Sequence, residues 1–436
     1  MNAIGILGCI LGFVLVIFLS FKNFSPFIAS CIGALFVIIV TGSPIVETLT
    51  TYASNCASFA AGYWLVFLFG AIMARIYSES GAAMAVAVGL KKWVLRDKLN
   101  PNIQQFLALL VIDLIPGILG LGGVITSVAL LLCYPIALSI LESYNIPKRF
   151  SYGALCLGCF SWCILVPGAV QTTNIIPQQF LGTDAMALAV PGWIGGIFWA
   201  IGGTVILNIM VNRAKNRGEV FEYGPNDKRF EESAKLPNFW LSLLPLVFLF
   251  VIYNIAKVDI NISLGLGALL TLVLNWKYLK PAGILSTLNG GAMQAIAPMA
   301  TVGAMVGFAN VVTGTEAFGN ITTALFGMDI PPVLLVIIFC GIIAGLTGGS
   351  GTGFLVSLPI LAPALLSQGV DPEMIHRVGL FAGTAISMLP YSGCILMFLP
   401  ISGLKLKDIY GQVFWTMVVW GLVSTGVVVL CWAIGL

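Results

Sequence analysis

Charge is scarce in this chain. Of 436 residues only 8% are Asp, Glu, Lys or Arg, whereas soluble domains carry about 25%. So apolar a chain cannot cover its core with a water-compatible surface, which excludes a soluble globular protein. The net charge of +3 offers no basic footprint for nucleic acid. Histidine is nearly absent, with His376 standing alone. There is no H-E-x-x-H and no nucleophile paired with a base inside an apolar run, so a membrane-embedded enzyme lacks its parts. The first apolar run has neither a basic n-region nor a small-residue cleavage site, and reads as a retained span rather than a signal peptide. Short segments of alternating polarity are missing too, which excludes a transmembrane β-barrel.

Long apolar runs fill the space that charge leaves. They fall near 3–20, 25–42, 57–75, 103–143, 150–168, 186–211, 238–256, 260–276, 292–313, 332–346, 354–367, 378–404 and 411–434. A spanning helix needs about 20 apolar residues, so the runs predict an all-α polytopic membrane protein of about 10–12 passes, some of them broken. The ten cysteines lie almost entirely within these runs. Cys156, Cys159 and Cys163 share one helix face and read as small apolar packing residues rather than metal ligands.

Basic residues set the orientation. With the N-terminus outside, 18 of the 20 Lys and Arg fall on the cytoplasmic side, and only Lys257 and Arg377 lie outside. That distribution follows the positive-inside rule. It places the charged stretch 212–236 in the cytoplasm and the C-terminus outside. It also requires residues 100–147 to form a hairpin entering from inside, and 331–370 one entering from outside. The two halves, 1–211 and 237–436, then mirror each other across the membrane as inverted repeats joined by the linker. Gly117, Gly120, Gly123 and Pro135 recur as Gly345, Gly348, Gly351 and Pro363 at a constant offset.

Both hairpin tips are weakened helices. "GLTGGSGTG" (345–353) holds five glycines at membrane depth, each costing about 1 kcal/mol in a helix relative to alanine. Unpaired backbone is tolerated at that depth only inside protein or beside a wet cavity. Carriers use such breaks to aim half-helix N-termini at anions. Thr347, Gly349, Ser350, Gly351 and Thr352 are therefore candidate substrate contacts, matched in the first half by Gly120, Gly122, Thr126 and Ser127 of "PGILGLGGVITS". Two further breaks are "VPGAVQTTNIIPQQ" (166–179), with Gln171, Thr172, Thr173 and Asn174, and "MLPYSGCILMFLP" (388–400), with Tyr391 and Ser392. Proline inside a helix removes a hydrogen bond and clashes with the preceding turn. Asp113 is the clearest acid at depth and the candidate proton carrier, since intramembrane acids are functional by default. His376 and Arg377 read as a solvated cap at the outer mouth, and no Lys or Arg falls within a span.

The runs "GLTGGSGTGFLVSLPILAPAL", "WCILVPGAVQTTNIIPQQFLGTD" and "IPGILGLGGVITSVALLLCYPIAL" resemble segments of the gluconate–proton symporter (GntP-type) permeases. Those permeases belong to a wider superfamily of organic-anion carriers. The resemblance covers most of the chain. It implies a secondary carrier for small carboxylates with inverted repeats and two re-entrant hairpins. It implies substrate contacts at Ser350, Thr352 and Gln171 to Asn174, and a homodimer. The chain departs from the family pattern at "SWCILVPGA", which lacks a histidine and consecutive prolines, and at Gly120, where an acid is usual. A smaller or less hydroxylated acid than gluconate is the implication.

The sequence thus reads as a proton-coupled carrier of a small organic anion in the cytoplasmic membrane. It would need no cofactor beyond the coupling ion, and its partners would be the substrate, the lipid bilayer and, by the resemblance, a second copy of itself. A sodium-coupled carboxylate carrier of the same superfamily is the nearest alternative; a passive channel or an enzyme stands further off.

Overall fold

A computed structural model describes residues 3–22, 24–94, 100–124, 126–225, 227, 236–279, 281–320, 330–390 and 392–436. In a minority of these, Ser127, Thr347 and Thr352 among them, the description stops at the backbone. Tyr391 and most of the second half of the linker lie outside the described residues.

All regular structure among the described residues is helical. The first half begins with α1 (Ala3–Phe21), α2 (Pro26–Thr41), α3 (Ile45–Glu79) and α4 (Ala82–Val94). A hairpin of α5 (Pro101–Leu121) and α6 (Thr126–Ser143) follows. Next comes a broken helix: α7 (Ser151–Phe160), α8 (Trp162–Leu165), an extended stretch and α9 (Thr172–Leu181). The long α10 (Ala189–Asn216) closes the half. The second half opens with α11 (Phe239–Ile255), α12 (Ile260–Asn275) and α13 (Pro281–Thr313). Its hairpin is α14 (Pro332–Thr347) and α15 (Ser350–Leu366). Its broken helix is α16 (Pro372–Ser387) and α17 (Gly393–Ser402), and α18 (Leu406–Ala433) completes the chain. Among the described residues, six helices are long and apolar enough to cross a membrane by length and composition. Each half therefore runs hairpin, broken helix, long helix.

The hairpin turns form where the glycines are. Gly123 adopts φ +87° and Gly348 φ +66°, a left-handed conformation that glycine takes without steric cost. The Gly123 and Val124 amides donate back to the Gly120 and Leu119 carbonyls at 2.9 and 3.0 Å, which closes the end of α5. The Gly348 amide does the same to Gly345 at 3.2 Å.

The halves interlock. The short α9 packs on α15 and α16. In return, Phe398 of α17 packs against Tyr134 of α6 and Tyr152 of α7, with ring centroids 5.0 and 4.7 Å away. Each half-helix past a break thus docks on the opposite half's hairpin or its neighbour. On the far side, α3 and α13 pack along each other, and α1 and α2 form a satellite core with α13.

The polar ends separate along α10, a helix of about 42 Å at 1.5 Å per residue. At its C-terminal end Lys215 donates to Gln105 (2.8 Å) and the Tyr144 carbonyl (2.9 Å), and Arg149 pairs with Glu219 (2.7 Å). There too the linker dips inward. Asp227 accepts from Lys148 at 2.7 Å and Tyr134 at 2.9 Å, and Lys148 also donates to the Ser402 carbonyl at 2.7 Å. At the other end Asp184 pairs with Lys257 (2.8 Å) and Glu373 accepts from the Leu188 amide (2.7 Å). One helix not anticipated is α4, whose apolar face is covered by α5, α6 and α11. Its 13 residues are too few to span, so a span-length criterion passes over it.

Candidate substrate site

One cavity of about 280 Å³ collects both hairpin tips and both breaks. Gly123 and Thr126 come from the first tip, and Gly348, Gly349, Ser350 and Gly351 from the second. Gln171, Thr172 and Thr173 come from the first break, and Met388, Ser392 and Cys394 from the second. Val66, Phe67, Gly70 and Ala71 of α3, Ile164, Ile175 and Leu264 supply an apolar wall. Among the described residues no ionisable Lys, Arg, His, Asp or Glu lines it.

Its electrostatics come from the backbone. Four helices, α6, α9, α15 and α17, begin at this cavity. The residues preceding α9, α15 and α17 make no side-chain cap hydrogen bond. Each helix N-terminus carries roughly half a positive charge and up to four amides without an intrahelical partner. Four such ends facing one space favour an anion without the desolvation cost of a buried lysine. Among the described residues Thr173 Oγ1 is buried and without a hydrogen-bond partner, and Thr173 belongs to the cavity lining.

The breaks also hold the tips. Gln171 Nε2 donates to the Gly120 carbonyl and, at 3.0 Å, to that of Val124. Ser392 Oγ donates to the Gly348 carbonyl at 3.2 Å. A shift of either break therefore moves the adjoining tip.

Several residues singled out from sequence stand behind the cavity. Gly120 serves through its carbonyl. Gly122 packs against Leu246 of α11, where a Cβ would come within 2.8 Å of the leucine Cβ. Asn174 is fully buried and turns away, donating to the Ala169 and Ala185 carbonyls at 3.0 and 3.2 Å. Neighbouring helical residues face different directions, so "QTTN" could not all reach one ligand. Asp113 is completely buried outside the lining, accepting from Trp162 Nε1 at 2.9 Å and Thr204 Oγ1 at 3.4 Å. The side chains of Ser127, Thr347 and Thr352, and Tyr391 as a whole, lie outside the described residues.

Two corrections concern α16. His376 and Arg377 are wholly buried rather than a solvated cap, and Arg377 sits within an apolar bundle. Thr183 Oγ1 and His376 Nδ1 are hydrogen-bonded at 2.8 Å. Arg377 donates to the carbonyls of Leu165, Ala185 and Ala187 and to Asn174 Oδ1. The helix break on the opposite half frees these carbonyls, and a charge can be buried when its donors are met in this way. Sequence reasoning also missed Gln294 of α13, an amide that reaches the cavity. Its signal was a glutamine within the apolar stretch "AMQAIAPMA" of a long helix.

No protein-family model matches the chain. An uncharacterized transporter of Bacillus subtilis, YxjC, is 25% identical over 92% of this chain and 93% of its own length. An uncharacterized transporter of Haemophilus influenzae is 23% identical over 86% of this chain and 87% of its own. A gluconate permease of Zymomonas mobilis is 22% identical over 86% of this chain and 85% of its own. The fold is similar to the crystal structure of the Alcanivorax borkumensis YdaH transporter, with a TM-score of 0.58 at 12% identity over 90% of this chain and 89% of that one. The chain is a polytopic membrane transporter, not an enzyme, and resembles the gluconate permeases over most of its length.

Proposed function

We propose that this transporter is a secondary active carrier of a small organic anion, gluconate or a shorter hydroxy or carboxylic acid, moved together with protons by alternating access. The observation that carries the reading is the convergence of four helix N-termini on one cavity free, among the described residues, of Lys, Arg, His, Asp and Glu. A carboxylate would take charge-assisted hydrogen bonds from these amides, each worth about 1.5–3 kcal/mol. Thr126, Thr172, Thr173, Ser350 and Ser392 supply hydroxyls for the same ligand, and Gln171 and Gln294 supply amides. The apolar wall of Val66, Phe67, Ile164 and Leu264 suits a short carbon chain better than a fully hydroxylated one.

In this reading the two halves are inverted repeats, with hairpins entering from opposite sides and the charged linker in the cytoplasm. Both termini then face outward from the cytoplasmic membrane. Asp113 carries the proton at its site behind the cavity, and the bond that Trp162 Nε1 donates to its carboxylate links its protonation to the first break. The test is uptake of labelled gluconate, glycerate and lactate into proteoliposomes under an inward proton gradient. Accumulation that falls in Asp113→Asn is the expected result. Absence of uptake for every acid overturns the carrier reading.

A further inference from the structure

We infer that Arg377 is a fixed counter-ion occupying the place of a coupling cation at the first helix break, and that it makes the carrier independent of sodium. The inference rests on the carrier reading of the cavity and concerns which ion that carrier can use.

In carriers with broken helices, the coupling cation is held by unwound carbonyls and by the C-terminal ends of half-helices. Those ends carry partial negative charge. Here the first break offers such a set: the Leu165 carbonyl at the end of α8, the Ala185 and Ala187 carbonyls, and Asn174 Oδ1. The protein's own guanidinium takes all four. Arg377 reaches Ala187 at 3.0 Å through Nε and 2.8 Å through Nη2, Ala185 at 3.2 Å, Asn174 at 3.1 Å, and Leu165 as well. It is 0% exposed.

The niche is shaped for this side chain. Gly192 of α10 lies against it, and a Cβ there would come within 2.7 Å of Pro167 Cγ and 3.1 Å of Arg377 Cδ. Planar, five-donor and permanently charged, Arg fills a polyoxygen site that a sodium ion would otherwise share with water.

The neighbouring carbonyls are also taken. Asn254 donates to Gly168 at 3.0 Å, Asn174 to Ala169, and Gln171 to Gly120 and Val124. The Val170 amide donates to Leu121 at 3.3 Å. A mobile cation would have to displace protein donors throughout this region. Because Asn174 lies between Thr173 and Ile175, which both face the cavity, Arg377 also positions the start of α9. It is a positioning residue that never touches substrate.

The experiment measures the melting temperature of the purified protein in sodium chloride against choline chloride at equal ionic strength. Wild type should melt alike in both. Arg377→Gln, which empties the guanidinium position and leaves its oxygens, should gain stabilisation by sodium. Arg377→Lys, which keeps a fixed charge, should not. Sodium stabilisation of wild type overturns the inference, as does a folded Arg377→Gln that ignores sodium. Should Arg377→Gln fail to fold, wild type and Arg377→Lys decide by the same criterion.

Uptake of labelled gluconate, glycerate and lactate separates this inference from the carrier reading. Substituting choline for sodium should leave wild-type uptake within about twofold. A fall of about tenfold or more, equivalent to roughly 1.4 kcal/mol, sinks the fixed counter-ion and leaves the carrier standing. Absence of all uptake sinks the carrier, while the melting experiment still judges the ion site.

Discussion

The two broken helices occupy equivalent places in their halves and are held very differently. At the first break, the Gln171, Asn174 and Asn254 amides and the Arg377 guanidinium tie down the freed carbonyls. Residues 163–171 are buried throughout. At the second, among the described residues, the side-chain bond to the hairpin is that of Ser392 to Gly348. Leu389 and Pro390 are only partly buried. The same contrast separates Arg149 from Arg377, which lie 228 residues apart, the spacing at which Gly117, Gly120, Gly123 and Pro135 recur. Arg377 turns inward. Arg149 stays one-third exposed, because the linker brings Glu219 to it at 2.7 Å. Side chains that fill every lone pair remove the alternatives a moving element needs. Among the described residues the first break is the more firmly tied, and we read it as the frame against which the second break and its hairpin move.

The largest expected effect sharpens the cavity that both breaks share. Ser350→Leu should abolish uptake in proteoliposomes while membrane insertion is kept, because an apolar side chain then replaces a hydroxyl at the α15 N-terminus. Near-normal uptake would remove the second hairpin from the site.

The next compares stability. Arg377→Met leaves several buried carbonyls unpaired, each costing about 1–3 kcal/mol, so thermal melts in detergent should shift down by many degrees. Ser392→Ala should cost no more than about 1 kcal/mol. Equal shifts would erase the contrast between frame and moving part.

A third compares the ties to the tips. Gln171→Leu removes the side-chain donor to the Gly120 and Val124 carbonyls and should lower uptake by about tenfold or more, whereas Ser392→Ala should lower it several-fold less. The reverse order would make the first break the mobile one.

The smallest effect is the most specific. Among the described residues Thr173 Oγ1 has no hydrogen-bond partner, so Thr173→Val should leave the melting temperature unchanged, within about 0.5 kcal/mol. It should still raise KM, because the hydroxyl it removes serves only a bound ligand. A destabilised Thr173→Val with an unchanged KM would make that hydroxyl structural.

Much of this was legible in residues alone. "PGILGLGGVITS" and "GLTGGSGTG" announced their turns, because a left-handed backbone at Gly123 and Gly348 needs glycine. Polarity at depth singled out Thr172, Thr173, Ser350 and Ser392, which line the cavity, because hydrocarbon penalises every unpaired polar group. It also singled out Asn174 and Gly122, which stand behind the cavity, the one donating to carbonyls and the other packed against Leu246. It gave no warning of Arg377, since a charge near a helix end reads as solvated until its acceptors are seen.

The sequence by itself determined the class: an all-helical polytopic membrane protein with two glycine-weakened hairpins and most of its basic residues at one end. Those properties are sums over local composition, and hydropathy, turn chemistry and charge placement need no distant partner. Tertiary structure alone decided that both tips and both breaks meet in one cavity, and that α9 and α17 cross to the opposite half. It also decided that Arg377 is buried against Leu165, 212 residues away along the chain. The physical reason is that a buried polar group is permitted only by its partners, and these partners are adjacent in space and remote in sequence.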